Sequence, residues 1–387
     1  MKKHAASPWL HRLTYFEQQK DSILSTIREL VEIESPSDDK PAGDRIAAVI
    51  ARKFEALGGR VISHQAKAFG NHLQVDFAGS RHGKPVLLLG HYDTVYPRGT
   101  LANMPCRVAD GRLSGPGVLD MKSGIGLMLV ALQGLQAEYG ELQQPVTVLL
   151  VSDEEVGSDS SRPITESLAK KSSAVLVCEP SYGPDGAVKT ARKGVGEYRL
   201  RVIGKASHAG LDFEKGQSAI IELARQITEI SKMVDLKKGL TVNVGVVEGG
   251  TRSNVVAAQA TALIDLRVER LKDAPGIDRK LRGLRAFNKN CRLELTGGLN
   301  RPPMERTPGV AMLYERASLI ASELGWKLKE AAVGGGSDGN FTAALGISTL
   351  DGLGGVGDGA HARHEFIEID ELPRRAALLA GLVDTIL

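Results

Sequence analysis

At 387 residues the chain is longer than one hydrophobic core usually serves, so two domains are expected. Hydrophobic residues at 42% and charged residues at 25% lie at globular averages and exclude disorder as the main state. Lys+Arg at 49 against Asp+Glu at 46 leaves a formal net charge of +3, too small and too evenly spread for nucleic acid or an anionic membrane, and points to a small soluble partner.

The N-terminal stretch "MKKHAASPWLHRLTYFEQQ" carries two lysines but lacks the uninterrupted run of roughly 7–15 apolar residues of a signal peptide, so no cleavage is expected. No run approaches the roughly 18 apolar residues of a membrane span. Cys106, Cys178 and Cys291 are odd in number, far apart and without close metal-ligand spacing, which fits a reducing compartment; a cytoplasmic location is expected.

In chain order, helices are expected over residues 21–33 and 43–57, followed by the strand "PVLLLG", a small-residue helix "SGIGLMLVALQGLQ", and the strands "VTVLLVS" and "AVLVCE". Short apolar strands separated by helices indicate an α/β unit whose largely parallel sheet is covered on both faces. The active site of such a sheet lies beyond the carboxyl ends of its strands. From about residue 194 the order changes. "GEYRLRVIG" reads as a strand, and residues 218–234 as a helix with Ile220, Leu223, Ile227, Ile230 and Val234 on one face. "LTVNVGVVEG" and "QATALIDLRVER" are two further strands, residues 274–287 a second helix, and "CRLELTGG" a last strand. This β-α-β-β-α-β succession is the ferredoxin-like arrangement and reads as an insertion. The α/β rhythm then returns with a helix over residues 310–324, "KLKEAAV", a glycine turn "GGGSDGN", "ISTLDGLG" and a closing helix from about residue 370. The expected limits are 1–193 for the first part of a catalytic domain, 194–300 for the insertion and 301–387 for the second part. Two connections between domains favour hinge motion.

Chemistry-bearing residues gather just beyond the core strands. "VLLLG" runs into His91 and Asp93, "VTVLLVS" into Asp153, Glu154 and Glu155, "AVLVC" into Glu179, and "ISTLDGLG" leads to His361. "SGPGVLDMKSG" sets Asp120 in a glycine-rich loop at a helix start. Singly, each has a structural explanation: Asp120 as a helix cap, His91 as a hydrogen-bonded core histidine, Glu154 and Glu155 as solvated carboxylates. Together, so many carboxylates in one crevice repel and shift one another unless a cation neutralises them. Imidazole and carboxylate ligands suit zinc, with cobalt or manganese as substitutes. His91, Asp120, Glu155, Glu179 and His361 suffice for two metals if one carboxylate bridges, and Asp120 is the natural bridge. Asp93, two residues after His91, is placed to accept the other ring N–H of that imidazole. A neighbouring glutamate remains as general acid/base, and spacing alone does not choose between Glu154 and Glu155.

The strings "GHYDTVYP", "GPGVLDMKSG", "VSDEEVGS", "CEP", "GKASHAG", "GGGSDGN" and the His-x-x-x-Glu of His361–Glu365 resemble, in order, the dinuclear zinc metallopeptidase family of glutamate carboxypeptidase (carboxypeptidase G), aminoacylase, acetylornithine deacetylase and succinyl-diaminopimelate desuccinylase. The resemblance implies an α/β catalytic domain with an inserted ferredoxin-like lid and dimerisation domain, and two Zn2+ per subunit. It implies one metal on His91 and Glu179, the other on Glu155 and His361, with Asp120 between them, Glu154 as general base and Asp93 orienting His91. It further implies that His208 acts as an oxyanion stabiliser in the active site of the opposite subunit of a homodimer. Asn254 and Arg267 match lid positions that contact substrate, and Gly335 and Gly336 fall in a turn that approaches it closely.

Strand alternation in "ALIDLRVER" places Arg267 on the polar face, where it is either a carboxylate clamp for the substrate or paired with a neighbour such as Asp265. The function so implied is a zinc-dependent metallohydrolase cleaving an amide bond next to a free carboxylate. "GHYDTVYP", "ARKG" and "GGGSDGN" lean to the glutamate carboxypeptidase branch, and an N-acyl-amino-acid deacylase is the alternative. A non-enzymatic binding protein on this scaffold would be expected to lack ligands or the base, and all are present.

Overall fold

The computed structural model describes residues 8–386; the lysine-bearing residues 1–7, on which the N-terminal reading partly rests, lie outside them. The chain divides into two compact units, one of Met1–Ala191, Arg306–Ala332 and Ser337–Leu387, the other of Arg192–Glu305 and Val333–Gly336. Residues 333–336 join the second unit although they follow the expected insertion, and the Lys193 N–H donates to the Val333 carbonyl at 3.0 Å.

The first unit is built on a six-stranded sheet in the order Arg60–His64, His72–Phe77, Val146–Val151, Val86–His91, Ala174–Val177, Thr349–Leu350. His72–Phe77 runs antiparallel to both neighbours and the remaining pairs are parallel, so the sheet is mixed with mostly parallel strands. The Val146–Val151, Val86–His91 and Ala174–Val177 strands are buried at every position, which is why they read as unbroken apolar runs. Period-two alternation splits them between two layers. Val86, Leu88, Val148, Leu150 and Leu176 pack with the helices Ser123–Tyr139 and Leu372–Thr385, while Leu87, Leu89, Leu149, Val151, Val175 and Val177 pack with Ala169, Ile164 and Leu168 of Arg162–Lys171. Each such Leu or Val withdrawn from water contributes about 1.5–3 kcal/mol.

By length and composition the segment Val118–Tyr139 could cross a membrane, contrary to the expectation that no run comes close; 89% of its most apolar window is buried inside the fold. Helix ends moved for local reasons. The second helix expected at residue 43 begins at Lys40 because the Asp39 carboxylate caps it, accepting the Ala42 N–H at 2.9 Å. The Pro8–Gln18 helix, absent from the sequence reading, is tied down by Phe16 in the core and by Arg12, which pairs with Glu138 at 2.5 Å and Asp384 at 2.6 Å.

The second unit is a four-stranded antiparallel sheet in the order Thr241–Gly249, Gln259–Val268, Gly194–Ile203, Arg292–Arg301, with the helices Ala219–Ser231 and Ala274–Arg282. The first strand therefore lies between the third and fourth, the ferredoxin-like order. One face is apolar: Tyr198, Leu200, Val202, Ala262, Ile264 and Leu266 pack on Leu223, Ile230, Ile277 and Leu281. Two elements differ from expectation. Ile220 and Val234, expected on the buried stripe of the first helix, are exposed, and Ala219, Glu222 and Gln226 are buried instead. The second helix stops at Arg282 rather than near residue 287, because the buried Glu222 carboxylate accepts the N–H groups of Phe287 and Asn288 at 3.0 and 2.9 Å and holds that segment as a loop.

Candidate active site

Strands Val86–His91, Val146–Val151 and Ala174–Val177 are parallel neighbours, so their carboxyl ends deliver His91, the Glu154–Val156 turn and Glu179 to one edge of the sheet. Asp120 arrives on the loop ahead of the Ser123–Tyr139 helix. Two glycines make that loop possible. Gly117 has φ +71, and a Cβ there would lie 2.5 Å from Thr94; a Cβ on Gly124 would lie 2.0 Å from the Cys178 carbonyl oxygen, next to Glu179. The Asp120–Met121 peptide is cis. His361 comes from the other end of the sequence, at φ +64.

The five expected ligand residues meet in two groups that share Asp120: His91, Asp120 and Glu179, and Asp120, Glu155 and His361. Asp120 divides its oxygens between them. Oδ1 lies 3.1 Å from His91 Nε2, itself 3.3 Å from Glu179 Oε1, whereas Oδ2 lies 3.3 Å from His361 Nε2, itself 3.1 Å from Glu155 Oε2. Bonds of about 2.0–2.2 Å from zinc to nitrogen and oxygen place neighbouring tetrahedral ligand atoms about 3.3–3.5 Å apart. The donor set therefore fits metal ions without rearrangement of the strands. A second observation agrees: Glu155 Oε1 is buried with no hydrogen-bond partner, and such a carboxylate oxygen is costly unless something positive faces it.

The electrostatics carry the same demand. Burial works against a charged His91, yet hydrogen bonds to Asp120, Asp93 and Glu179 outweigh it and raise its pKa well above the usual imidazole value. Hydrogen bonds to Asp120 and Glu155 push His361 up to about 10. Burial raises Glu155, while at Asp120 the two imidazoles overcome burial and hold the carboxyl far below its usual range. A cation bound at these imidazoles competes with protons for the ring nitrogens.

Around the ligands, Asp93 ties three segments together. Its carboxylate accepts the Ser37 hydroxyl at 2.7 Å, the Glu154 N–H at 3.3 Å and the Glu155 N–H at 3.2 Å. His91 Nδ1 sits 3.0 Å from the Asp93 carbonyl and 3.4 Å from its carboxylate, so the main chain is the nearer partner of that ring nitrogen. Glu154 opens the turn but belongs to neither ligand group. Sequence reasoning assigned nothing to Ser37, Tyr96 or Glu365, although the last two stand inside motifs it singled out.

In the second unit, His208 and Asn254 are neighbours: the Ala209 N–H donates to the Asn254 carbonyl at 3.0 Å, and both residues are exposed. His208 Nδ1 accepts the N–H groups of Gly210 and Leu211 at 3.1 and 3.2 Å, which leaves the ring proton of the neutral imidazole on Nε2. Arg267 is on the polar face as expected, but its Nε and Nη2 are engaged by Asp265 at 2.8–3.1 Å and its Nη1 donates to Gly334 at 3.3 Å. Gly335 and Gly336 present their carbonyls to Arg192 Nη1 at 3.2 and 3.1 Å.

The sequence signature of peptidase family M20/M25/M40 matches residues 87–385, the span that carries every ligand described above. The chain belongs to this family. Among its relatives, carboxypeptidase G2 of Pseudomonas sp. (strain RS-16) is 30% identical over 374 residues, covering 94% of this chain and 89% of that protein. The succinyl-diaminopimelate desuccinylase of Stenotrophomonas maltophilia (strain R551-3) is 27% identical over 333 residues, 81% of this chain and 88% of the other. A solved tripeptidase from Staphylococcus aureus superposes with a TM-score of 0.79 at 22% identity, covering 95% and 98% of the two chains, a likeness of fold. The M20/M25/M40 chain described here is thus a metallopeptidase-type hydrolase by family, with a ligand cluster suited to two metals.

Proposed function

We propose that this M20 protein is a dinuclear zinc carboxypeptidase that releases a glutamate-type residue from a small peptide or N-acyl substrate with a free carboxylate. The observation that carries the two-metal reading is the division of Asp120 between two complete ligand groups. His91, Asp120 and Glu179 would hold one metal and Asp120, Glu155 and His361 the other, with Co2+ or Mn2+ as possible substitutes. Bound there, the ions supply polarisation of the scissile carbonyl and acidification of water. Glu154 takes the proton of the attacking water and returns it to the departing amine. Asp93 holds the turn that carries Glu154 and Glu155 through their main-chain N–H groups. Substrate choice leans on the similarity to carboxypeptidase G2. The likeness to a desuccinylase keeps N-acyl-amino-acid deacylation as the second reading. A substrate panel on the zinc-loaded protein tests this: folyl-type and peptide glutamates are expected to be hydrolysed faster than acetyl or succinyl amino acids, and the reverse order selects the deacylase.

The second unit serves as lid and dimerisation domain in this proposal. Ile220 and Ile221 on its first helix and Val247 on the edge strand Thr241–Gly249 are 44–57% exposed, apolar side chains near a strand edge with no strand paired beyond it among the described residues, which suits a second copy of the chain. His208, exposed and with Nδ1 taken up by its own loop, is left with Nε2–H to donate to the developing oxyanion in the partner's site. Mixing an inactive His208→Ala chain with an inactive Glu154→Gln chain should restore activity, because a heterodimer assembles one complete site. No recovery despite demonstrated subunit exchange would place His208 in its own chain's reaction. Arg267 would hold a substrate carboxylate only by giving up part of its pairing with Asp265. The three cysteines are unpaired, which supports a cytoplasmic location.

A further inference from the structure

Glu365 is wholly buried, yet every acceptor position of its carboxylate is filled by a donor. Oε1 accepts the N–H groups of Leu119 and Asp120 at 2.7 and 2.9 Å; Oε2 accepts the Gly117 N–H at 3.0 Å and the Tyr96 hydroxyl at 2.6 Å. The same residue closes the turn that holds His361. Its N–H donates to the Ala362 carbonyl at 3.1 Å, and the Tyr96 hydroxyl lies 2.9 Å from that carbonyl. His361, a non-glycine residue, occupies the left-handed region, which persists only where the surroundings impose it. One buried carboxylate therefore fastens the backbone of Asp120 and the loop of His361 to each other.

The two ligand groups depend on this clamp unequally. His91 ends a core strand, and Glu179 lies two residues beyond another. Asp120 and His361 have no strand beneath them, and they are two of the three ligands of the Glu155 group. We infer that Glu365 is the positioning residue that creates the Asp120–Glu155–His361 metal site, with Tyr96 as its accessory, while the His91–Glu179 site stands largely without it. This rests on the two-metal reading above. The substitution Glu365→Gln is nearly isosteric, but whichever end the amide nitrogen takes, it faces a main-chain N–H of Gly117, Leu119 or Asp120 and cannot accept it.

The test is a zinc titration of chelator-stripped protein against a chromophoric competitor, which reads the two affinities without activity. Wild-type protein is expected to bind two equivalents tightly. Glu365→Gln should keep the first affinity and lose roughly 10–100-fold in the second, the usual cost of an outer partner of a metal ligand. Tyr96→Phe keeps the carboxylate and should weaken the second equivalent in the same direction by less; it carries the test alone should Glu365→Gln fail to fold. Equal weakening of both equivalents, or no change in either, with two equivalents in the wild type, overturns the positioning role and leaves the two-metal reading standing. A wild-type protein that binds only one equivalent overturns both.

Discussion

Glu154→Gln is expected to cut turnover by roughly 10²–10⁴-fold while the metal content stays at the wild-type level. The amide keeps the shape of the side chain and cannot accept a proton. The two glutamates of the turn look interchangeable in sequence, and the structure separates them. Glu155 places Oε2 3.1 Å from His361 Nε2 and buries Oε1 without a hydrogen-bond partner, whereas Glu154 is in neither ligand group. The turn itself does not depend on the Glu154 side chain, because Asp93 holds residues 154 and 155 by their N–H groups. Steady-state kinetics together with metal analysis of the same preparation check the prediction. Loss of one metal equivalent with turnover retained would exchange the two assignments.

Asp120→Asn should damage the protein more broadly. An amide offers one oxygen where the carboxylate offers two, so it can serve one ligand group and must present an N–H₂ to the other imidazole or ion. It also removes the negative charge that both imidazoles lean on. Metal content is expected to fall to about one equivalent or less, and activity by more than the roughly 10–100-fold that follows loss of an outer partner of a metal ligand. The fold should survive, because Asp120 lies at the sheet edge and the Val86–His91 strand and Ser123–Tyr139 helix pack through other residues. Circular dichroism beside metal analysis separates the outcomes: a native spectrum with two tightly held equivalents would remove Asp120 from the bridging position.

What the chain states by itself is local and periodic. Unbroken apolar runs identify Val86–His91, Val146–Val151 and Ala174–Val177 as strands buried on both faces, and parallel strands must put their carboxyl ends at one edge, so His91, Glu155 and Glu179 could be gathered before any coordinates. The β-α-β-β-α-β order likewise follows from alternation, including the polar face that carries Arg267. Other features depend on contacts between distant segments, which no periodicity encodes. The Asp120 N–H and the Glu365 carboxylate that holds it are 245 residues apart. The pairing of Arg267 with Asp265 is short in sequence, yet spacing did not show it; side-chain geometry did. Ile220 shows the same limit on a helix: its spacing suited the buried stripe, but the sheet beneath accepts Ala219, Leu223 and Ile230, and Ile220 is left exposed. Sequence thus determined which chemical groups reach the sheet edge. Only tertiary structure decided which oxygen faces which imidazole, because that depends on loops held by hydrogen bonds from the far end of the chain.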